Sequence, residues 1–136
     1  MSRFETVSHV LQAEFEKPYA YGVSDCFLTG LTVADAVRGS KLVGDFQGRY
    51  STLRGAHRVL RNEGHTSLVT LFQGMFEPIA PARAAIGDLG IYALPVEGSK
   101  RAAEHVGVHD GRNFRIKGEN GPITFAYTQA LAAFRV

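Results

Sequence analysis

The feature that most constrains the fold is a change of periodicity between the two halves of the chain. Up to about residue 76, apolar residues recur three or four positions apart, which is the spacing of one helix face. After about residue 88, short apolar stretches alternate with turn signals such as Asp110-Gly111, a dipeptide typical of tight hairpins. Helices followed by a meander of strands predict an α+β fold in which N-terminal helices pack on a small antiparallel sheet.

Local signals predict where these elements begin and end. Pro18 is expected to end a first helix over residues 3–16, and Gly39 to cap a second helix that starts near Cys26. Ser51 and Thr66 are suitable N-caps for two more helices. A turn is expected between Pro78 and Pro81. The strands are predicted at residues 88–94, 104–109, 112–117, 123–127 and 134–136.

Composition narrows the class of function. The 136 residues form one domain, 1–136, and the net charge is only +2. Arg54, Arg58 and Arg61 share a helix face, which we interpret as solvated surface, with a polyanion-binding face as the alternative. Aromatic and basic residues do not interleave, so no nucleic-acid partner is expected. No apolar run is long enough for membrane insertion, and no signal peptide is expected.

Cys26 is the candidate nucleophile. As the single cysteine it excludes an internal disulfide and a thiolate zinc cluster. Its predicted place is the first turn of a helix, where free backbone N–H groups and the helix dipole stabilise a thiolate. A thiolate is the form of cysteine that attacks carbonyls. The alternative is that Cys26 is a buried apolar filler.

His105 is the candidate general base. It lies at the start of a predicted strand, and Gly107 leaves room on the same face for another element to approach. A helix N-terminus packed over that strand would bring the Cys26 sulfur near the His105 ring. His109 lies about 13 Å further along the strand, so His105 and His109 cannot share a metal ion. No metal or organic cofactor is expected.

Three motifs resemble those of the NlpC-type papain-like cysteine peptidases, in the same order and at similar spacing across residues 17–118. They are residues 18–22 followed by Asp25-Cys26, then Gly87-Asp88-Leu89, and finally His105-Val106-Gly107-Val108. The resemblance implies a papain-like fold with Cys26 as nucleophile and His105 as base.

The resemblance also implies roles for four further residues. The third catalytic position falls near Lys117, and Asn113 could orient the His105 ring if the strand register differs. The residues that match Tyr19 and Asp25 help the family to hold the free amino end of a stem peptide. Asp25 has an alternative role as a simple helix cap.

A helical insertion at about residues 49–76 and the terminal segment 134–136 look like the compact members encoded in phage and gene-transfer-agent tail modules. This likeness implies a cell-wall peptidase of the virion tail, made in the cytoplasm without a signal peptide. Its partners would be tail hub or tip proteins, and its substrate the peptidoglycan stem peptides in the periplasm of the target cell.

Two alternatives remain open at this stage. Phe27 and Lys117 stand where the family usually has other residues, which would suit a structural tail component that keeps the fold without turnover. The second alternative is a cytoplasmic amidase or transferase of the same fold that acts on a small acyl substrate.

Overall fold

The first half of the chain is helical and the second half builds the sheet, as the change of periodicity predicts. The computed structural model describes all 136 residues as an α+β fold with four α-helices and one six-stranded antiparallel sheet. The helices are α1 (Arg3–Glu16), α2 (Cys26–Arg38), α3 (Leu53–Asn62) and α4 (Leu68–Gln73). The strands are β1 (Glu77–Ile79), β2 (Leu89–Leu94), β3 (Ala103–His109), β4 (Phe114–Gly118), β5 (Gly121–Phe125) and β6 (Ala132–Arg135), in the order β1-β6-β2-β3-β4-β5.

Each helix begins at a side-chain cap. The expected caps Ser51 and Thr66 are each wrong by one residue, because Thr52 and Ser67 are the residues with extended backbone whose hydroxyls accept helix N–H groups. Gly39 ends α2 in the left-handed conformation, at φ 72°, as predicted. None of the four helices has the length and apolar content that crossing a membrane requires.

Strand β1 was not expected from the sequence, because one proline lies within it and another follows it. Pro78 lies within β1 and pairs with Phe134 of β6 at the edge of the sheet. An edge strand tolerates proline because one side of the strand has no partner that needs the missing N–H. Pro81 then opens a short 3-10 turn, Pro81–Arg83.

The main core lies between the helices and one face of the sheet. It joins α1 and α2 to β2, β3 and β6 through residues that include Leu31, Leu89, Val106 and Phe134. Gly30 lies where α2 crosses β3, and a Cβ atom built on it would stand 2.6 Å from Val106 Cγ1. This close approach seats the N-terminal turn of α2, and with it Cys26, against β3.

Candidate active site

Cys26 is the first residue of α2 and is only 7% exposed. The polar groups that favour a thiolate there are the backbone N–H of Val106, the hydroxyl of Tyr19 and the backbone N–H of Phe27. The β3–β4 pairing ends at Gly107 with Ile116, so Val106 lies just past the last pair. The N–H of Val106 is therefore free of the β4 ladder and lies near the sulfur.

Burial favours the protonated thiol in this environment. Burial, together with the negative charge of Asp25, raises the pKa of Cys26 to about 12, although the Val106, Tyr19 and Phe27 donors act in the opposite direction. Burial therefore opposes the thiolate that the helix N-terminus is expected to stabilise. A base must remove the proton before this sulfur can attack a carbonyl.

His105 has one ring nitrogen committed and one available. Its Nδ1 lies 2.9 Å from the carbonyl oxygen of Ala103. Because a carbonyl only accepts, Nδ1 carries the proton in this contact, and the neutral ring keeps a lone pair on Nε2. His105 is thus held in the tautomer that can act as a base. The structure contains no hydrogen bond between His105 and Cys26.

Cys26 and His105 line the same cavity, which has a volume of about 80 Å³. We refer to it as the Cys26 cavity. Its walls come from the turn before α2, from α3 and α4, and from the start of β3. The two side chains thus border one cavity without a direct contact, and their role as a catalytic pair stays a prediction.

Asp25 caps α2 and holds the preceding turn together. One carboxylate oxygen accepts the Leu28 N–H at 2.8 Å, and the other accepts the Gly22 N–H and the Tyr50 hydroxyl. Asp25 is 2% exposed, so its cap role is plain, whereas its expected contact with a substrate amine stays a prediction. Tyr50 was missed from the sequence because its partner lies 25 positions earlier.

Tyr19 lies beside the candidate nucleophile. Its hydroxyl favours the Cys26 thiolate, and burial raises the pKa of Tyr19, so the phenol remains a donor at neutral pH. Tyr19 packs edge-on against Tyr21, whose hydroxyl donates to Glu119 at 2.7 Å. Tyr19 also lines the Cys26 cavity, where the predicted contact with substrate would occur.

The structure does not bring Lys117 or Asn113 to His105. Lys117 is buried, and its ammonium group donates to the carbonyl oxygen of Glu14 at 2.7 Å and to the Ser24 hydroxyl. Asn113 lies in the turn after β3, beyond His109 and at the opposite end of the strand from His105. The group that orients the His105 ring is instead the Ala103 carbonyl.

Lys117 supports the turn that precedes Cys26. Ser24, which it holds, pairs with Ala20 through two backbone hydrogen bonds of 2.8 and 2.9 Å. That small bridge joins the two arms of the turn, one next to Tyr19 and the other leading through Asp25 to Cys26. Burial lowers the pKa of Lys117, and the nearby Glu14 opposes this shift.

Glu104 is a further residue that sequence reasoning missed. Its carboxylate accepts the Leu68 N–H at 2.8 Å and the Ser67 hydroxyl at 2.7 Å. It therefore ties the first turn of α4 to β3 beside His105. No local signal could have revealed this contact, since the partners are 36 and 37 positions apart.

Two further histidines, His57 and His109, lie apart from each other, and only His57 borders the Cys26 cavity. His57 lines the Cys26 cavity from an exposed position on α3. His109 is buried, accepts the Gly111 N–H on Nδ1, and has its pKa lowered by burial. The structure has no group of three or more His, Cys, Asp or Glu side chains arranged to hold a metal ion.

Comparison with known proteins identifies the family. A family model described as a domain of unknown function (DUF6950) matches residues 2–136 and so includes both Cys26 and His105. No curated protein and no solved structure matches the chain. Because the family model covers nearly the whole sequence, the chain belongs to the DUF6950 family.

Proposed function

We propose that this protein is an NlpC-type, papain-like cysteine peptidase that hydrolyses an amide bond in peptidoglycan stem peptides. The observation that carries the proposal is that Cys26, at the start of α2, and His105, on β3, line one cavity. The choice of substrate and a place in a phage tail tip rest on the three sequence motifs and on the insertion that holds α3 and α4.

The proposed reaction assigns a step to each polar group at the site. His105 Nε2 takes the proton of the Cys26 thiol, because Nδ1 is held by Ala103. The sulfur then attacks the substrate carbonyl, and the carbonyl oxygen becomes an oxyanion. The Cys26 backbone N–H has no hydrogen-bond partner in the structure, and it donates to this oxyanion together with the Tyr19 hydroxyl.

The amine leaves with the proton from His105, and a thioester with Cys26 remains. Water, activated by the neutral His105, attacks the thioester carbonyl and releases the acid and the free thiol. The mechanism requires His105 and Cys26 to come within hydrogen-bond distance when substrate fills the cavity. Catalytic hydrogen bonds are often formed only in the substrate complex.

Digestion of purified sacculi tests the proposal. The wild-type protein is expected to release soluble muropeptides, while Cys26→Ser and Cys26→Ala are expected to release none. Circular dichroism of both variants serves as the folding control. If wild type and Cys26→Ser release the same fragments, the proposal fails.

A second candidate is a structural tail component that has this fold but no turnover. The buried, protonated thiol and the lack of a Cys26–His105 hydrogen bond favour it. Under this alternative, wild type and Cys26→Ser behave alike with sacculi and with small acyl substrates. The two candidates are thus separated by whether any acyl substrate is turned over in a Cys26-dependent way.

A further inference from the structure

We propose that the Cys26 cavity is an acyl pocket, which takes a short, uncharged, apolar group on the carbonyl side of the bond that is cleaved. This inference rests on the proposed function and specifies its substrate class. Three observations carry it: the composition of the walls, the state of the polar groups that border the cavity, and its size.

Most of the residues that line the cavity are aliphatic or aromatic. α3 contributes Leu53, Val59 and Leu60, and α4 contributes Leu68 and Leu71. Val59 and Leu71 are buried, so the inner surface of these helices belongs to the packed interior rather than to an open groove. A group bound against them gains free energy in proportion to the apolar area that it buries.

The carboxylates that border the cavity are already satisfied. Asp25 accepts three hydrogen bonds from the protein, and Glu104 accepts two from the start of α4. The Tyr50 and Tyr21 hydroxyls donate to Asp25 and Glu119. No cationic side chain of lysine or arginine lines the cavity.

The polar groups left for a substrate lie at the reacting end. They are Cys26, His105 and Tyr19, and in addition His57, which is exposed at the rim. A carboxylate on the acyl side chain would lose its hydration among the aliphatic walls without meeting a cation. The pocket therefore selects an acyl group such as that of alanine or a short fatty acid and rejects a glutamyl-like one.

The volume of about 80 Å³ limits the length of that group. It is several times the space that one water molecule needs, which suits a chain of a few carbon atoms. The acyl transfer itself is unchanged: the S–C bond forms, the bond to the leaving group breaks, and the thiol proton passes through His105 to the leaving group.

Aryl esters test the pocket. The 4-nitrophenyl esters of acetate, propanoate, butanoate and pentanoate are compared with the monoester of glutarate, which matches pentanoate in length but ends in a carboxylate. The rate with Cys26→Ala is subtracted as background. We expect kcat/KM to rise about fourfold per methylene up to butanoate. The glutarate ester is expected to be more than about 100-fold poorer than pentanoate.

A substitution in the wall of the Cys26 cavity provides a second test. Ala56 lines the cavity from α3, and Ala56→Leu is expected to lower kcat/KM for pentanoate at least about tenfold more than for acetate. The acyl-pocket proposal would be contradicted by equal kcat/KM values for the pentanoate and glutarate esters. It would also be contradicted if Ala56→Leu did not alter the dependence of kcat/KM on chain length.

Alkylation of Cys26 tests the pocket without turnover. N-propyl iodoacetamide is compared with its matched analogue that ends in a carboxylate, and both rates are divided by those for the unfolded chain. We expect the apolar reagent to react at least about tenfold faster on the folded protein. If neither sacculi nor any ester is turned over but this preference holds, the proposed function fails and the acyl-pocket proposal stands, whereas equal alkylation rates contradict the acyl pocket alone.

Discussion

The imidazole Nδ1 of His105 donates to the carbonyl oxygen of Ala103, two residues earlier on the same strand, at 2.9 Å. Orientation of the candidate base therefore comes from the backbone of β3. The contact is local, so it forms whenever β3 forms, and it does not depend on a third side chain from elsewhere. This relationship replaces the roles expected for Lys117 and Asn113.

The first prediction concerns His105. Under the proposed function, changing His105→Gln removes the base for a thiol with a pKa of about 12, so kcat/KM on the aryl esters is expected to fall by about 10² to 10⁴. The matched control is His9→Gln, because His9 is an exposed residue of α1, and this variant should leave kcat/KM unchanged. Comparable rates for the two variants would exclude His105 as the base.

The second prediction concerns the titration of Cys26. Because burial raises its pKa to about 12, the thiolate fraction of the free protein increases about tenfold per pH unit over the whole range from pH 7 to 10. The rate of alkylation by iodoacetamide should follow this slope without levelling off near pH 8.5. A plateau below pH 8 would show a thiolate that the folded site stabilises.

The third prediction concerns the crossing of α2 over β3. In Gly30→Ala the added Cβ meets Val106 Cγ1 at 2.6 Å, so the helix must shift away from the strand. The free energy of unfolding in urea should fall by about 1–3 kcal/mol. Gly44→Ala is the control, because a Cβ there has nothing within 4 Å. Equal stability of both variants would mean that the packing of α2 on β3 accommodates an added methyl group at position 30.

The fourth prediction concerns the buried ammonium of Lys117. Lys117→Met keeps the length of the side chain but leaves the Glu14 carbonyl and the Ser24 hydroxyl without their donor. The free energy of unfolding should fall by about 1–3 kcal/mol. Because the turn that carries Tyr19 and Cys26 loosens, alkylation of Cys26 at pH 7 should become faster.

Lys41→Met, at an exposed position, is the control for the fourth prediction and should change neither quantity. If Lys117→Met lowers stability but leaves the alkylation rate as it was, Lys117 holds α1 to the sheet without positioning the nucleophile.

Local sequence signals predicted much of the fold. Periodicity and caps located α1, α2 and the β3–β4 hairpin. Asp25, the N-cap, marked the position just before α2 begins. The same signals missed β1, because Pro78 is allowed there only by its place at the sheet edge. Edge position is a property of the whole sheet and cannot be read from neighbouring residues.

Cys26 and His105 could be selected as candidates from the sequence, but the side chains that surround them could not. Cys26 and His105 each stood in a recognisable local context, and the fold brings them to one cavity. Burial, which opposes the thiolate expected at the helix terminus, is a property of the folded site and has no local sequence signal. Glu104 and Lys117 have partners 36 to 103 positions away.

The close approach of Gly30 to Val106 joins the helical half of the chain to the half that is synthesised later. A growing polypeptide that has exposed only α1 and α2 carries Cys26 without the His105 side chain and without the β3 wall of the cavity. Under the proposed function, the reactive site is therefore assembled only after β3 has left the ribosome, and the chain has no catalytic pair during most of its translation.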